Sequence, residues 1–119
     1  MARGIYEIKL RENYFPALSA ADAVEMRNNG NCEDSIHPDD VEVELVVQEE
    51  HAMRLFLLAK TMYDTEKFTC HEVEVVIASL AREMGYFTNA EKIADCVTQW
   101  IERVAEDMSL HDLEEWIIG

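Results

Sequence analysis

Hydrophobic and polar positions alternate along residues 4–11, with Tyr6, Ile8 and Leu10 on one side and Glu7, Lys9 and Arg11 on the other. A period of two is that of a strand with one buried face. Pro16 interrupts, and Ser19 then stands as a helix N-cap, with Asp22 placing an acid where a capping box holds Glu or Gln. The helix predicted from there stops at Gly30, a residue suited to the left-handed conformation beyond a helix end. Residues 31–40 read as a polar loop. Val41, Val43, Leu45 and Val47 alternate with Glu42 and Glu44, which predicts a second strand over 41–48. If the two strands pair, Glu42 and Glu44 sit across from Lys9 and Arg11.

From Glu49 onward the apolar period becomes helical. Ala52, Leu55, Phe56, Ala59, Met62 and Tyr63 form one stripe. Thr69 and Glu72 form a capping box before Val73, Val76, Ile77, Leu80, Ala81 and Met84, and Gly85 ends that helix. Thr88 and Glu91 repeat the signal before Ile93, Val97, Trp100, Ile101, Val104 and Met108, predicting a helix over 88–108. Ser109 and Asp112 open a short last helix carrying Leu110, Leu113, Trp116 and Ile117. The expected fold is α+β: a two-stranded N-terminal sheet with an intervening helix (β-α-β, residues 1–48), followed by a bundle of about four helices over 49–119. At 119 residues this is one domain, with no internal repeat.

Composition narrows the class. The chain is 49% hydrophobic with 4 Gly and 2 Pro, which argues for a folded core despite the charge. The longest clean apolar run, Leu55 to Ala59, falls far short of the ~20 residues that span a membrane. The N-terminus reaches Glu7 before any apolar stretch builds, so no signal peptide is expected. Cys32, Cys70 and Cys96 are widely spaced and odd in number, which points to free thiols in a reducing cytoplasm.

Candidate chemistry fails one test after another. Cys32, His37, Cys70 and His71 hold metal-binding atoms, but at spacings that match no zinc framework. Residues 31–40 are rich in oxygen donors, yet lack the central Gly and alternating acids of a calcium loop. No nucleophile elbow, Walker loop or dinucleotide fingerprint occurs, so neither an enzyme nor a cofactor is expected. Residues 80–88, Leu-Ala-Arg-Glu-Met-Gly-Tyr-Phe-Thr, resemble the first helix and turn of a helix-turn-helix. The helix that follows would show Glu91, Lys92, Asp95, Thr98 and Gln99 to a groove, where binding needs Arg and Lys for phosphates. Two packed helices with a Gly cap between them are the better reading.

What remains is charge. The chain carries 25 Asp+Glu against 10 Lys+Arg, a net of −15. Residues 12–50 sum to −10 and residues 69–119 to −8, while 1–11 and 51–68 are slightly basic. The first surplus is densest at Asp39, Asp40, Glu42, Glu44, Glu49 and Glu50, a stretch free of Lys and Arg. The second is a stripe on the 88–108 helix: Glu91, Asp95, Glu102 and Glu106, within about 60° of arc at ~100° per residue. Such faces often serve solubility alone. Here few cations interleave with them, which favours binding of a basic surface.

The expected partner is a basic protein that handles nucleic acid, with neither nucleic acid nor a membrane bound directly. In size and charge the chain is similar to small acidic inhibitors of nucleases and of bacterial defence complexes, phage anti-CRISPR proteins among them. That likeness, which covers no motif, implies a nucleic-acid mimic acting in the (host) cytoplasm. Trp116 is the candidate aromatic anchor, against the plainer role of docking the last helix. The alternative function is a helical adaptor or homodimer whose acidity serves only solubility.

Overall fold

A computed structural model describes residues 2–9, 13–30 and 35–119. Leu10 and Arg11 of the expected first strand, and residues 31–34 of the expected loop with Cys32, lie outside the described residues.

The fold is α+β. Strands β1 (Gly4–Ile8), β2 (Asn13–Ala17) and β3 (Val43–Val47) form one antiparallel sheet in the order β2-β1-β3. Helix α1 (Ala20–Gly30) separates the β1/β2 hairpin from β3, and α2 (Glu49–Asp64), α3 (Cys70–Glu83), α4 (Ala90–Val104) and α5 (Leu110–Ile118) follow. The expected two-strand β-α-β start is therefore corrected to a hairpin, a helix and a third strand. Pro16, which interrupts the sequence pattern, sits inside β2 opposite Ile5. A proline lacks the N–H a central strand must donate, and an edge strand such as β2 tolerates it.

Register fixes which side chains share a face. Val46 is an extra residue in β3, since Ile5 pairs with Val47 and Tyr6 with Leu45. Ile5 and Ile8, three apart on β1, project to opposite faces and both are fully buried. Ile5 joins Val47 in the core built by the later helices, where Leu55, Phe56, Ile77, Ile93, Val97, Leu113 and Ile117 meet. Gly4 is required by close approach: a Cβ there would come within 2.7 Å of Leu45 Cδ1 and 2.8 Å of Val47 O.

Most helix boundaries follow local chemistry. The Thr69 hydroxyl accepts from the Glu72 amide (3.2 Å) while Glu72 Oε1 accepts from the Thr69 amide (3.1 Å), a complete capping box. Ser19 and Ser109 accept from Asp22 N and Asp112 N, each at 3.1 Å. Gly85, with φ of 105°, closes α3 as a Schellman cap, Tyr86 N donating to Ala81 O and Gly85 N to Arg82 O, both at 3.0 Å. Gly30, expected in the left-handed conformation, is instead the last helical residue of α1.

Helix α4 is shorter than its sequence signal. It begins after Asn89, which makes no side-chain cap bond, so the capping box expected from Thr88 and Glu91 is not formed, and Glu91 lies 3.7 Å from Arg82 instead. It ends at Val104, where the chain turns to start α5, and buried Lys60 donates to the Glu106 carbonyl at 3.4 Å just beyond. Glu106 is thus off the helix, and the four-residue stripe is corrected to three.

Candidate acidic surfaces

The 39–50 segment contains a one-turn 3-10 helix (Pro38–Asp40), the edge strand β3 and the first turn of α2. Asp39, Asp40, Glu42, Glu44, Glu49 and Glu50 are all exposed. β3 lies between Glu42 and Glu49, and its five extended residues alone span roughly 17 Å at ~3.3 Å each. The acids therefore line an open sheet edge and do not gather at a point. Carboxylates on an edge strand also discourage edge-to-edge pairing with another copy, and Glu49 and Glu50 favour the positive end of the α2 dipole.

Among the described residues, only Glu44 is answered by a Lys or Arg side chain. Lys9 Nζ lies 2.7 Å from Glu44 and 3.2 Å from Glu7. Glu7 and Glu44 are direct cross-strand partners, so two like charges meet and one ammonium bridges them. These two hydrogen bonds hold the Lys9 pKa above its ordinary value. The expected opposition of Glu44 and Lys9 is present; for Glu42 it is the backbone carbonyl that accepts from Lys9 N, at 3.0 Å. His37 Nδ1 is 3.5 Å from Asp39 Oδ2, but it accepts the Asp39 amide proton at 3.2 Å. That bond uses the lone pair of a neutral ring, so His37 brings no positive charge to Asp39 in this arrangement. Asp40, Glu42, Glu49 and Glu50 have no side-chain partner among the described residues.

The carboxylates of α4 are placed differently. Glu91, Asp95 and Glu102 fall within about 40° of arc, yet each is engaged by its own chain. Glu91 faces Arg82 on α3. Asp95 accepts from Gln99 Nε2 at 3.1 Å. Glu102 Oε1 accepts from the Tyr63 hydroxyl (3.0 Å) and the Cys70 thiol (3.1 Å), linking the end of α2 and the start of α3 to α4. Partial burial, with these hydrogen bonds, lifts the Tyr63 pKa well above the usual phenol range. On the packed side of α4, burial with help from Asp95 raises the Cys96 thiol pKa far above its usual value.

Trp116 is half-buried in its own fold. Its ring meets Phe56 edge-on at 5.9 Å and stacks near Trp100 at 6.5 Å, and the Arg3 guanidinium lies 4.3 Å above it. Arg3 Nε also donates to the Trp116 carbonyl at 2.8 Å. The tryptophan thus docks α5 against α2, α4 and the N-terminal segment. Burial lowers the Arg3 pKa, and Asp22 at 3.6 Å offsets part of that.

Cys70 and His71 begin α3, and no group of three or more His, Cys, Asp or Glu among the described residues is arranged to hold a metal ion. No helix among the described residues is long and apolar enough to cross a membrane. The residues that sequence reasoning missed are cationic: Arg27, Lys92 and Arg103 converge on one cleft, though they lie far apart along the chain. No family model matches the chain, and no curated protein or solved structure is detectably similar to it.

Proposed function

We propose that this chain is a non-enzymatic acidic inhibitor that binds the basic surface of a nucleic-acid-handling protein and blocks its nucleic-acid site, in the manner of phage anti-defence proteins such as anti-CRISPRs. The observation that carries this reading is the 39–50 edge, where five exposed carboxylates have no answering cation among the described residues. Partner Arg and Lys side chains pair with Asp39, Asp40, Glu42, Glu49 and Glu50 by charge-assisted hydrogen bonds. The net charge of −15 speeds encounter at low salt and repels polyphosphate, which keeps nucleic acid itself from being the ligand. Within this reading Glu91, Asp95, Glu102 and Trp116 mainly hold the scaffold together, with Glu44 and Glu106 at the margins of the contact.

The test is affinity capture from the native cell with wild type and an edge variant side by side, followed by competition against nucleic acid. The edge variant carries Asp39→Lys, Asp40→Lys, Glu42→Lys, Glu49→Gln and Glu50→Gln. The expected result is a basic partner retained by wild type alone, whose nucleic-acid complex the wild type dissolves in a salt-sensitive manner. Equal capture by both proteins, or an undisturbed nucleic-acid complex, overturns the reading.

One observation favours the adaptor or homodimer reading: Val75 (51% exposed), Val76 (38%) and Phe87 (74%) lie open on α3 and the turn after it. Light scattering decides it, since a dimer that Val75→Ser dissociates supports this second reading and a monomer at all concentrations removes the homodimer.

A further inference from the structure

Strand β3 forms one margin of the sheet and pairs only with β1. The Lys9 amide donates to the Glu42 carbonyl at 3.0 Å, so the backbone of Glu42 turns toward β1. Opposed residues of an antiparallel pair alternate between bonded and non-bonded, which turns Glu44 toward β1 as well. The N–H and C=O groups of Val43 and Leu45 then point away from β1, along the open margin. Among the described residues no other hydrogen bond reaches Val43 or Leu45. Helix α1 touches β2, β1 and β3 in turn, so it lies across a face of the sheet and not along that margin. The margin ends at Gln48, whose amide donates to the Tyr86 hydroxyl at 3.4 Å.

The side chains divide in the same register. Val43 and Leu45 project to one face, and Leu45 is 45% exposed there. Glu42 and Glu44 project to the other, and both are exposed. Asp39 and Asp40 precede the strand, and Glu49 and Glu50 follow it. Another copy of this chain would bring the same acids to the joint and set like charges together. A strand with cations opposite Glu42 and Glu44, and apolar side chains opposite Val43 and Leu45, is complementary on both faces.

We propose that β3 takes up an extended basic segment of the partner as a fourth, antiparallel strand, in which Lys or Arg alternates with apolar residues. The proposal rests on the reading of residues 39–50 as the partner contact and specifies what the partner brings to it. Main-chain hydrogen bonds to Val43 and Leu45 hold the segment in register, while its cations meet the carboxylates beside the strand and at its ends. Lys9 already bridges Glu44 and Glu7, so Glu42 is the carboxylate of this face most open to an incoming cation.

The experiment titrates the full chain with a fluorescent heptapeptide that alternates Arg and Val, read by anisotropy at low salt. Three forms are compared: unmodified, N-methylated at every Val, and N-methylated at every Arg. In the antiparallel register the Val amides face β3 and the Arg amides face away. Methyl groups on Val are therefore expected to weaken binding at least about tenfold, and those on Arg by less than about threefold. The unmodified peptide should also slow amide hydrogen exchange of Val43 and Leu45 at least about tenfold, with little change at Glu44. Leu45→Pro, which removes an N–H that β1 does not use, should weaken the peptide similarly; the methylated peptides carry the test if that variant misfolds. No binding of the unmodified peptide, equal effects of the two methylations, or unchanged exchange at Val43 and Leu45 overturns the added strand. If the charge variant of residues 39–50 still loses the native partner in that case, the acidic contact stands without the strand. If the peptide pairs as expected but capture finds no basic partner, the failure belongs to the inhibitor reading alone. A dimer that protects Val43 and Leu45 without peptide assigns the margin to a second copy and overturns the proposal.

Discussion

Along residues 39–50 five of six carboxylates have no Lys or Arg beside them among the described residues, whereas on α4 Glu91, Asp95 and Glu102 each have a partner within the chain. Both regions are exposed, and both look alike as runs of acid. The difference is what faces them. The 39–50 edge bounds the sheet, and although Glu42 lies across from Lys9 on β1, the Lys9 ammonium is taken up by Glu44 and Glu7, so among the described residues no Lys or Arg reaches Glu42, Glu49 or Glu50. The α4 surface borders α3 and the end of α2, and those elements bring Arg82, Tyr63 and Cys70 to it. An acidic face therefore becomes available to a partner where the fold leaves it without neighbours, whatever its density in sequence.

The largest effect that separates the two regions is on association. Replacing Asp39, Asp40 and Glu42 by Lys and Glu49 and Glu50 by Gln is expected to lower partner affinity at least about a hundredfold at low salt, with the difference shrinking as salt rises. Stability should change little, because none of these side chains contacts the core; Gln in the first turn of α2 forgoes only a few tenths of a kcal/mol of dipole interaction. Replacing Glu91, Asp95 and Glu102 together should do the reverse, leaving affinity within about threefold while lowering the urea midpoint. If both sets change affinity equally, the contrast between the regions is void.

The next effect is on stability at alkaline pH, and it arises from the packed side of α4. The Cys96 thiol is held protonated by burial, while in the unfolded chain it ionises near pH 9. Above that pH the unfolded state loses a proton that the folded state keeps, so stability is fully present below pH 9 and falls as pH rises. The slope is about 1.4 kcal/mol per pH unit for one proton. Tyr63, raised in the same direction, ionises near pH 10 in the unfolded chain and adds to the fall above that. Urea titrations across this range check the sign, and Cys96→Ala should flatten the first part of the curve. A slope that Cys96→Ala leaves unchanged assigns the alkaline loss elsewhere.

A smaller effect isolates the link that α4 makes to its neighbours. Glu102→Ala removes the acceptor for both Tyr63 and Cys70 and is expected to cost about 1 kcal/mol, discounted because the site is open to water. In Tyr63→Phe background the same change should cost less, since part of the interaction has already gone. Equal costs in the two backgrounds mean that the Tyr63 bond contributes nothing to stability.

The elements that were legible in the sequence are those that carry their own start and stop chemistry. The Thr69 box, the Ser19 and Ser109 caps and Gly85 all act within a few residues, and the structure places them where the pattern does. What was not legible depends on neighbours. Pro16 reads as a break unless its strand is known to lie at the sheet edge. Glu106 completes a stripe on an ideal helix, but α4 gives way at Val104 with neither Gly nor Pro to announce it, only Ala105 and a turn. The partners of Glu91 and Glu102 lie nine and thirty-two or more residues away, and the gathering of Arg27, Lys92 and Arg103 joins α1 to α4. No local pattern encodes any of these meetings.

The smallest effect tests the comparison where it is weakest. Glu91 and Arg82 approach to 3.7 Å with side chains 86% and 46% exposed, the geometry of a surface pair worth only a few tenths of a kcal/mol. Glu91 also stands in the first turn of α4, where a negative charge favours the helix dipole by a similar amount. Arg82 in turn stands in the last turn of α3, where a positive charge favours that helix's dipole, so Glu91→Ala and Arg82→Ala should each shift the urea midpoint barely beyond error and by similar amounts. If instead Glu91→Ala weakens partner binding as strongly as a substitution at Glu42, then a carboxylate with a cation beside it is as available as one without. Availability would then follow exposure alone, and the missing neighbours of the 39–50 edge would not be what sets it apart.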